Sequence, residues 1–270
     1  MSEPIRSREN GRRGNEADRL IAIYSHGKSG TTSIFRSLES QTDRPLVRFH
    51  MLNASKVRAK VVRRERAGLK LGRSLRNSRR YSADLSLLTG AQLITMIRDP
   101  IASAVSAFFY RLARHDDDTL RECVESGDAA PLIARFTLDF ETIERQYLRW
   151  FDDEIGAVLG LDIYDRSFDR SLGSQIYREE SFDLLVAKLE CDDHSLEDAI
   201  RRFLSLTAFR LARRNTAQEK PYNELYELFR RRLALSAGLV HRIYASRSVR
   251  HFYTEDEIHG FQQRWTRAGT

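Results

Sequence analysis

The sequence predicts an α/β fold in three layers, with a central parallel sheet between helices and a helical C-terminal half. Two observations support this prediction. Runs typical of buried strands alternate along the chain with segments of helical periodicity. Lys28, His50 and Arg98 each follow a predicted strand. Open parallel sheets bind ligands at the carboxyl ends of their strands, so this placement agrees with the fold class.

The predicted sheet is built from short apolar runs. The first strand is expected at 20–25, where partly β-branched residues precede a turn of small residues. A helix at 30–40 follows, because its apolar residues recur at helical spacing. The second strand is expected at 46–49, ending at His50, and the third at 91–97.

The chain beyond the third strand is predicted to be mainly helical. A helix at 100–114 begins with a proline, which suits the first helical turn. The three aspartates at 116–118 are expected to cap the next helix, and a long helix is expected at 129–153. The remaining predictions are a small hairpin of 163–164 with 174–177, a core strand at 182–190, and further helices after it.

The turn after the first strand carries the most specific chemical signal. A strand–turn–helix unit aims successive backbone N–H groups and a helix N-terminus at one point, which suits a phosphate or sulfate. Lys28 adds a mobile cationic donor. The loop of nucleoside triphosphatases fits poorly, because its first glycine would fall at Ala22, inside the strand. The alternative is an ordinary strand–helix turn with a capping threonine.

A second candidate anion contact follows the third strand. Arg98 ends that strand, and Ser106 comes eight residues later on the predicted helix. A forked guanidinium and a hydroxyl could converge there on a single anion. In the alternative, Arg98 pairs with Asp99 or caps a neighbouring helix, and Ser106 is only a small helix residue.

Both segments resemble sulfotransferases that use 3′-phosphoadenosine 5′-phosphosulfate (PAPS). The run Lys28-Ser29-Gly30-Thr31-Thr32 resembles their 5′-phosphosulfate loop, and Arg98 with Ser106 resembles their 3′-phosphate motif. The resemblance implies a P-loop-type three-layer fold, with PAPS as co-substrate and no required metal. The PAPS-binding residues that it implies are His26, Gly27, Lys28, Ser29, Gly30, Thr31, Thr32, Arg98 and Ser106.

The C-terminal half is similar to a bacterial group described as capsular polysaccharide synthesis proteins, within the sulfotransferase-like P-loop superfamily. The similarity is carried by 147–154, 160–164 and 252–258, and the whole resemblance runs from about Arg19 to Trp265. The Asn-Lys-Trp-Tyr-Ser signature of that group has only a diffuse counterpart in this chain. Its candidate positions are Asn215, Lys220, Tyr222 and Tyr226.

The catalytic residues expected from this chemistry are Lys28 and His50. Lys28 would offset the negative charge that grows on the leaving phosphate. His50 is the candidate general base, since the ordinary histidine pKa of about 6.5 suits proton abstraction near neutrality. A purely structural histidine is equally open, and Glu154 and His26 are the alternative bases.

Composition indicates one domain. The chain has 270 residues, of which 41% are hydrophobic, enough to bury one core over 19–270. The polar, arginine-rich residues 1–18 are predicted to form a disordered tail. Two cysteines and no long apolar run indicate a reduced, cytoplasmic protein without a membrane span.

The basic residues are concentrated in one segment. Between positions 56 and 80 there are eleven Lys and Arg residues against a single acid, Glu65, while the whole chain carries a net charge of +7. The segment could steer a polyanionic acceptor, contact an anionic membrane or bind nucleic acid without specificity. A mobile, solvated insertion between core elements is the alternative. No specific nucleic-acid partner is expected.

The sequence therefore favours a PAPS-dependent sulfotransferase acting on a hydroxyl acceptor, with a glycan or capsular polysaccharide as the expected partner. Two alternatives stay open. One is a nucleotide-dependent kinase on the same fold. The other is a non-catalytic P-loop-like protein that binds nucleotide or polyanion in polysaccharide synthesis.

Overall fold

Five strands form one sheet, with strand order β2-β1-β3-β5-β4, in a computed structural model that describes residues 18–115, 117–212 and 220–266. Residues 1–17 of the predicted tail, Asp116 and Asn215 lie outside the described residues. The strands are β1 (Ile21–Tyr24), β2 (Leu46–Phe49), β3 (Ala91–Ile97), β4 (Ser174–Arg178) and β5 (Phe182–Lys188). Strands β2, β1, β3 and β5 run parallel, so the predicted α/β fold with a mostly parallel sheet is confirmed.

Helices connect and cover the strands. They are α1 (Thr31–Glu39), α2 (Ala54–Arg66), α3 (Arg73–Ala83), α4 (Pro100–Arg114), α5 (Asp118–Ser126), α6 (Ala130–Leu148), α7 (Ala157–Leu159), α8 (Asp193–Phe203), α9 (Asn223–Arg232), α10 (Ala237–Tyr244), α11 (Arg247–Phe252) and α12 (Glu255–Thr266). Within the described ranges, no helix combines the length and the hydrophobicity needed to cross a bilayer.

Both faces of the sheet are buried. In β1, Ile21 and Ile23 join the apolar cluster that includes Ile34 of α1 and Ile200 of α8. The alternate β1 residues belong to the larger cluster on the other face, with residues of α4, α6 and the C-terminal helices. Central strands covered on both sides are continuously apolar, which is why the sequence of β1 shows no polar alternation.

Aspartate side chains cap the first turns of α4 and α5. The Asp99 carboxylate accepts a hydrogen bond from Ile101 N at 2.9 Å, and Pro100 occupies the first turn of α4. Asp117 caps α5 by accepting from Leu120 N, which confirms the predicted capping role for this aspartate. Asp99 is also the acceptor for Tyr244 Oη at 2.6 Å and Trp265 Nε1 at 2.9 Å, so it ties α4 to the C-terminal helices.

Two element predictions were wrong. Residues 163–165 form a single 3-10 turn, and β4 pairs antiparallel with β5 instead, with Tyr177 opposite Leu184. Strand β5 follows β4 after a tight turn in which Glu179 N donates to Phe182 O. Strands that are adjacent in sequence tend to pair, so β4 pairs with β5 and not with 163–164. The predicted helix at 129–153 ends earlier, at Leu148, and a π-helical turn follows at Phe151–Gly156.

The basic segment 56–80 folds into α2, a short connection and most of α3. Val57 and Val61 of α2 pack with Leu75 of α3 in a small apolar cluster of their own. The segment is therefore a helix pair with a small core, inserted between β2 and β3. This helix pair stands beside the carboxyl end of the sheet, where it forms one wall of the cavity described next.

Candidate anion-binding site

The turn between β1 and α1 has an unusual backbone. Lys28 has φ 72° and Gly30 has φ 77°, both in the left-handed region. A Cβ atom on Gly30 would lie 2.6 Å from Cδ1 of Leu189, which follows β5. Glycine is favoured at position 30 by its backbone angle, and a side chain there would also require the end of the Leu189 side chain to move.

Side-chain hydrogen bonds hold this turn in place. Ser25 Oγ donates to Met96 O of β3 at 2.7 Å. Ser29 Oγ donates to His26 O at 2.8 Å and lies 2.8 Å from Ser25 Oγ. The buried Ser29 hydroxyl therefore serves the turn itself, which leaves its backbone N–H as the group able to meet a ligand.

Arg98 and the Lys28 turn lie together. Arg98 Nη1 donates to the Lys28 carbonyl oxygen at 2.9 Å. The alternative pairing of Arg98 with Asp99 is not seen, because the Asp99 carboxylate is engaged by Ile101, Tyr244 and Trp265. Parallel strands β1 and β3 end at the same edge of the sheet, and this shared edge brings the two residues into contact.

These residues open onto a cavity of about 750 Å³ between the turn and the α2–α3 pair. Ser106, His50, Thr31 and Thr32 also line it. Its described lining contains no carboxylate and seven cationic residues: Lys28, Arg48, Lys60, Arg64, Arg73, Arg98 and Arg114. Among the described residues, none of these seven forms a salt bridge, and no group of three His, Cys, Asp or Glu side chains is placed to bind a metal ion.

The surroundings of the Lys28 ammonium group favour the binding of an anion. Burial and the nearby Arg98 and Lys220 lower the pKa of its ammonium group to about 8. Its Nζ lies 4.5 Å from the centroid of the Tyr110 ring, a cation–π contact on the cavity wall. The ammonium group is charged at neutral pH, and a bound anion would favour that charge further.

His50 presents one free ring nitrogen. Its Nδ1 lies 2.8 Å from the Ser25 carbonyl oxygen, which can only accept, so Nδ1 carries the proton and Nε2 keeps its lone pair. Burial, together with the smaller effects of Arg48, Lys60 and Lys28, lowers the pKa of His50 to about 4 against the opposing Ser25 hydrogen bond. His50 is therefore neutral at physiological pH and able to accept a proton.

The two alternative bases are elsewhere. His26 does not line the cavity, and its ring packs edge-on against Tyr147, with centroids 5.3 Å apart. Glu154, in the π-helical turn, accepts hydrogen bonds from Tyr24 Oη at 2.8 Å and from Leu52 N at 2.6 Å. Both side chains are buried on the core side of the site, where they brace the turn and the start of α2.

The structure adds site residues that the sequence motifs did not identify. Arg48 donates to Thr32 Oγ1 at 2.8 Å, and it precedes His50 by two positions, so strand alternation could have placed it on the same face. Tyr226 of the diffuse signature lines the cavity, and Lys220 is close enough to Lys28 to lower its pKa. Tyr222 stacks on Phe109 instead.

The comparisons with known proteins bear on the C-terminal half alone. Residues 135–254 match the model of a family described as "putative capsular polysaccharide synthesis protein", which is less than half of the chain. The matched segment begins within α6 and ends before α12, so it includes neither the Lys28 turn nor Arg98. No curated protein and no solved structure matches the chain.

Replacing Gly30 by alanine should remove anion binding at the turn. An alanine is strained at this positive φ and its Cβ would push against Leu189, so the backbone N–H groups of the turn should move. We expect the affinity for pyrophosphate, measured by calorimetry at low salt, to fall by at least ~10-fold, about 1.4 kcal/mol.

Gly238→Ala is the matched control, because nothing lies within 4 Å of a Cβ at that position in α10. Circular dichroism of both variants monitors the fold. Unchanged pyrophosphate affinity in a folded Gly30→Ala protein would show that the turn is not the anion site.

Proposed function

We propose that this protein is a sulfotransferase that moves a sulfuryl group from PAPS to a hydroxyl of a glycan in capsular polysaccharide synthesis. The observation that supports it best is the contact of Arg98 with the Lys28 carbonyl, in a cavity whose described lining is cationic and free of carboxylates. Such a lining favours a ligand with several negative charges. The family matched by residues 135–254 supports the link to polysaccharide synthesis.

The turn and the start of α1 would hold the 5′ end of PAPS. Gly30 is the N-cap of α1 and no side chain caps this helix, so the first backbone N–H groups are available to an anion. Lys28 would donate to the oxygen that bridges sulfur and phosphorus, where charge develops as that bond breaks. Thr31 and Thr32 add hydroxyl donors.

Arg98 and Ser106 would hold the 3′-phosphate. A monophosphate ester carries roughly −1.5 to −2 charges at neutral pH, and a guanidinium fork is its strongest side-chain partner. Because Arg98 also touches the Lys28 turn, it would couple the two ends of the co-substrate. This pair would select PAPS over nucleotides that lack the 3′-phosphate.

His50 would act as the general base. PAPS supplies an activated sulfuryl group, whose bond to the 5′-phosphate breaks as a bond to the acceptor oxygen forms. His50 Nε2 would take the proton of that acceptor hydroxyl. Burial is the main cause of its low pKa, but bound anions would offset the smaller effects of Arg48, Lys60 and Lys28, so co-substrate binding should make this nitrogen more basic.

Binding of 3′-phosphoadenosine 5′-phosphate (PAP) distinguishes this proposal from the two alternatives. We expect PAP to bind without Mg²⁺ and more tightly than ATP. A preference for ATP that depends on Mg²⁺ would favour a kinase, and failure to bind either nucleotide would favour a non-catalytic protein. Arg98→Ala should lower the PAP-over-AMP preference by roughly 10–100-fold, because it removes one charge-assisted contact.

Arg111→Ala is the matched control for Arg98→Ala. Arg111 is an exposed arginine of α4 that does not line the cavity, and its loss should change nucleotide affinity less than twofold. Equal PAP-over-AMP preference in wild type and Arg98→Ala would contradict the assignment of the 3′-phosphate contact.

PAP binding should take up protons in mildly alkaline solution. Free Lys28, with its pKa lowered to about 8, is mostly neutral at pH 8.5, whereas a bound anion raises that pKa and restores the charge. Calorimetry in buffers of different ionisation enthalpy should therefore show uptake of a fraction of a proton. The uptake should vanish in Lys28→Arg, since arginine stays charged throughout; persistence in that variant would assign it to another group.

Replacing His50 by glutamine should separate transfer from binding. We expect sulfate transfer from ³⁵S-labelled PAPS to a panel of neutral and acidic oligosaccharides to fall by about 10²–10⁴-fold, the usual contribution of a general base. PAP affinity should stay within about threefold. Full transfer activity in His50→Gln at pH 7 would rule out this base.

A further inference from the structure

We propose that the acceptor is an acidic saccharide, held by a second group of cations that lines the same cavity as the Lys28 turn. This inference rests on the proposed sulfuryl transfer and names its substrate class. The group, called the inner cations below, consists of Arg48, Lys60, Arg64, Arg73 and Arg114. Lys28 and Arg98, assigned to the co-substrate, are not part of it.

The inner cations come from four elements that converge on one cavity. Arg48 lies on β2, and Arg114 closes the last turn of α4. Lys60 and Arg64 are four residues apart on α2, so they project from the same side of that helix. Arg73 is the first residue of α3. Charges from separate parts of the chain therefore meet at one place.

Neutral oxygens hold those inner cations whose contacts are resolved. Arg48 Nη1 donates to Thr32 Oγ1 at 2.8 Å. Arg64 Nη2 donates to Lys70 O at 2.9 Å, and Arg114 Nη1 lies 3.2 Å from Tyr110 Oη. These contacts orient the charged groups without a salt bridge among the described residues, although Glu39 is close enough to Arg48 to raise its pKa.

Salt bridges to acids are found at several cations outside the cavity. Exposed arginines and lysines outside the cavity are commonly paired with acids, such as Arg36 with Glu39 and Lys56 with Asp153, both salt bridges shorter than 3 Å. On the outer side of the same helix pair, Arg79 lies 3.6 Å from Glu65. The described lining of the cavity excludes such partners, so its charge is available to a ligand.

These cations also lie close enough to repel one another. Burial, Arg36 and Arg73 lower the pKa of Arg48, and burial lowers that of Lys60, with Arg63, Arg64 and Arg114 adding to the effect. A neutral sugar in the cavity would displace water from these groups and return no charge to them. A carboxylate or sulfate ester on the saccharide would satisfy them through charge-assisted hydrogen bonds.

The position of His50 connects the inner cations to the reaction. His50 lines the cavity together with residues of both groups, and Arg48, Lys60 and Lys28 all add to the effect of burial in lowering its pKa, so the ring is close to both groups of charges. A hydroxyl bound at His50 Nε2 would have its neighbouring sugar substituents next to Arg48 and Lys60. Acidic substituents on the acceptor would thus fix the hydroxyl in line with the sulfuryl group.

A second basic surface lies outside the cavity, where an anionic membrane could make contact. Arg58, Arg66 and the half-exposed Val62 lie on the side of α2 opposite Lys60 and Arg64, around a shallow depression. They do not line the cavity. This opposite side gives a charge-matched control within the same helix.

The test measures oligosaccharide affinity by calorimetry in the presence of saturating PAP. The probes are hexagalacturonate and the neutral maltohexaose. We expect hexagalacturonate to bind at least ~10-fold more tightly than maltohexaose. The double variant Arg64→Gln/Arg73→Gln should lose roughly 10-fold or more of that affinity, whereas Arg58→Gln/Arg66→Gln should lose less than about twofold. PAP affinity should be unchanged in both.

Each of the other outcomes counts against the inference or against the proposed function. Equal affinity for the two probes, or equal losses in the two double variants, would overturn the inference in favour of a neutral acceptor or of diffuse surface charge. Phosphatidylglycerol vesicles that bind better than hexagalacturonate, and lose binding in Arg58→Gln/Arg66→Gln, would assign the charge to a membrane. PAP binding without hexagalacturonate binding removes this inference alone, and hexagalacturonate binding without PAP binding removes the proposed function alone.

Discussion

The hydrogen bond from Arg98 to the Lys28 carbonyl holds together the two strand ends on which the site depends. The accepting carbonyl belongs to Lys28, whose backbone φ is positive, and Gly30 also has a positive φ. The side chain of Leu189 packs closely against Gly30, so the residue that follows β5 takes part in shaping the same turn. Three neighbouring parallel strands thus fix one short peptide segment, and the orientation of its N–H groups follows from them.

The strand ends could be predicted from the sequence because the physical rule behind them is simple. Parallel strands end at one edge, so Lys28, His50 and Arg98 had to be neighbours once their strands were recognised. The direction of individual side chains could not be predicted the same way. His26 lies two residues before Lys28, yet its ring turns into the core against Tyr147, because the turn breaks the alternation of a regular strand.

The position of Glu154 is a second feature that could not be predicted from the sequence. A carboxylate near a predicted helix end reads as a candidate base, but the π-helical turn directs it inward to Tyr24 and to the backbone at the start of α2. A single inserted residue in the helical ladder produces such a turn, and residue patterns carry little signal for it. The failed hairpin prediction has a related cause, since pairing of β4 depends on which partner lies next to it in the folded chain.

The uncompensated charge around the cavity also sets how folding responds to solution conditions. Like charges held a few ångströms apart oppose the compact state, by an amount on the order of 1 kcal/mol per close pair that mobile ions screen. Multivalent anions that bind only the folded chain add RT ln(1 + [L]/Kd) to its stability. The protein should therefore be least resistant to heat in dilute, chloride-only buffer, and sulfate or phosphate should protect it beyond their effect on ionic strength.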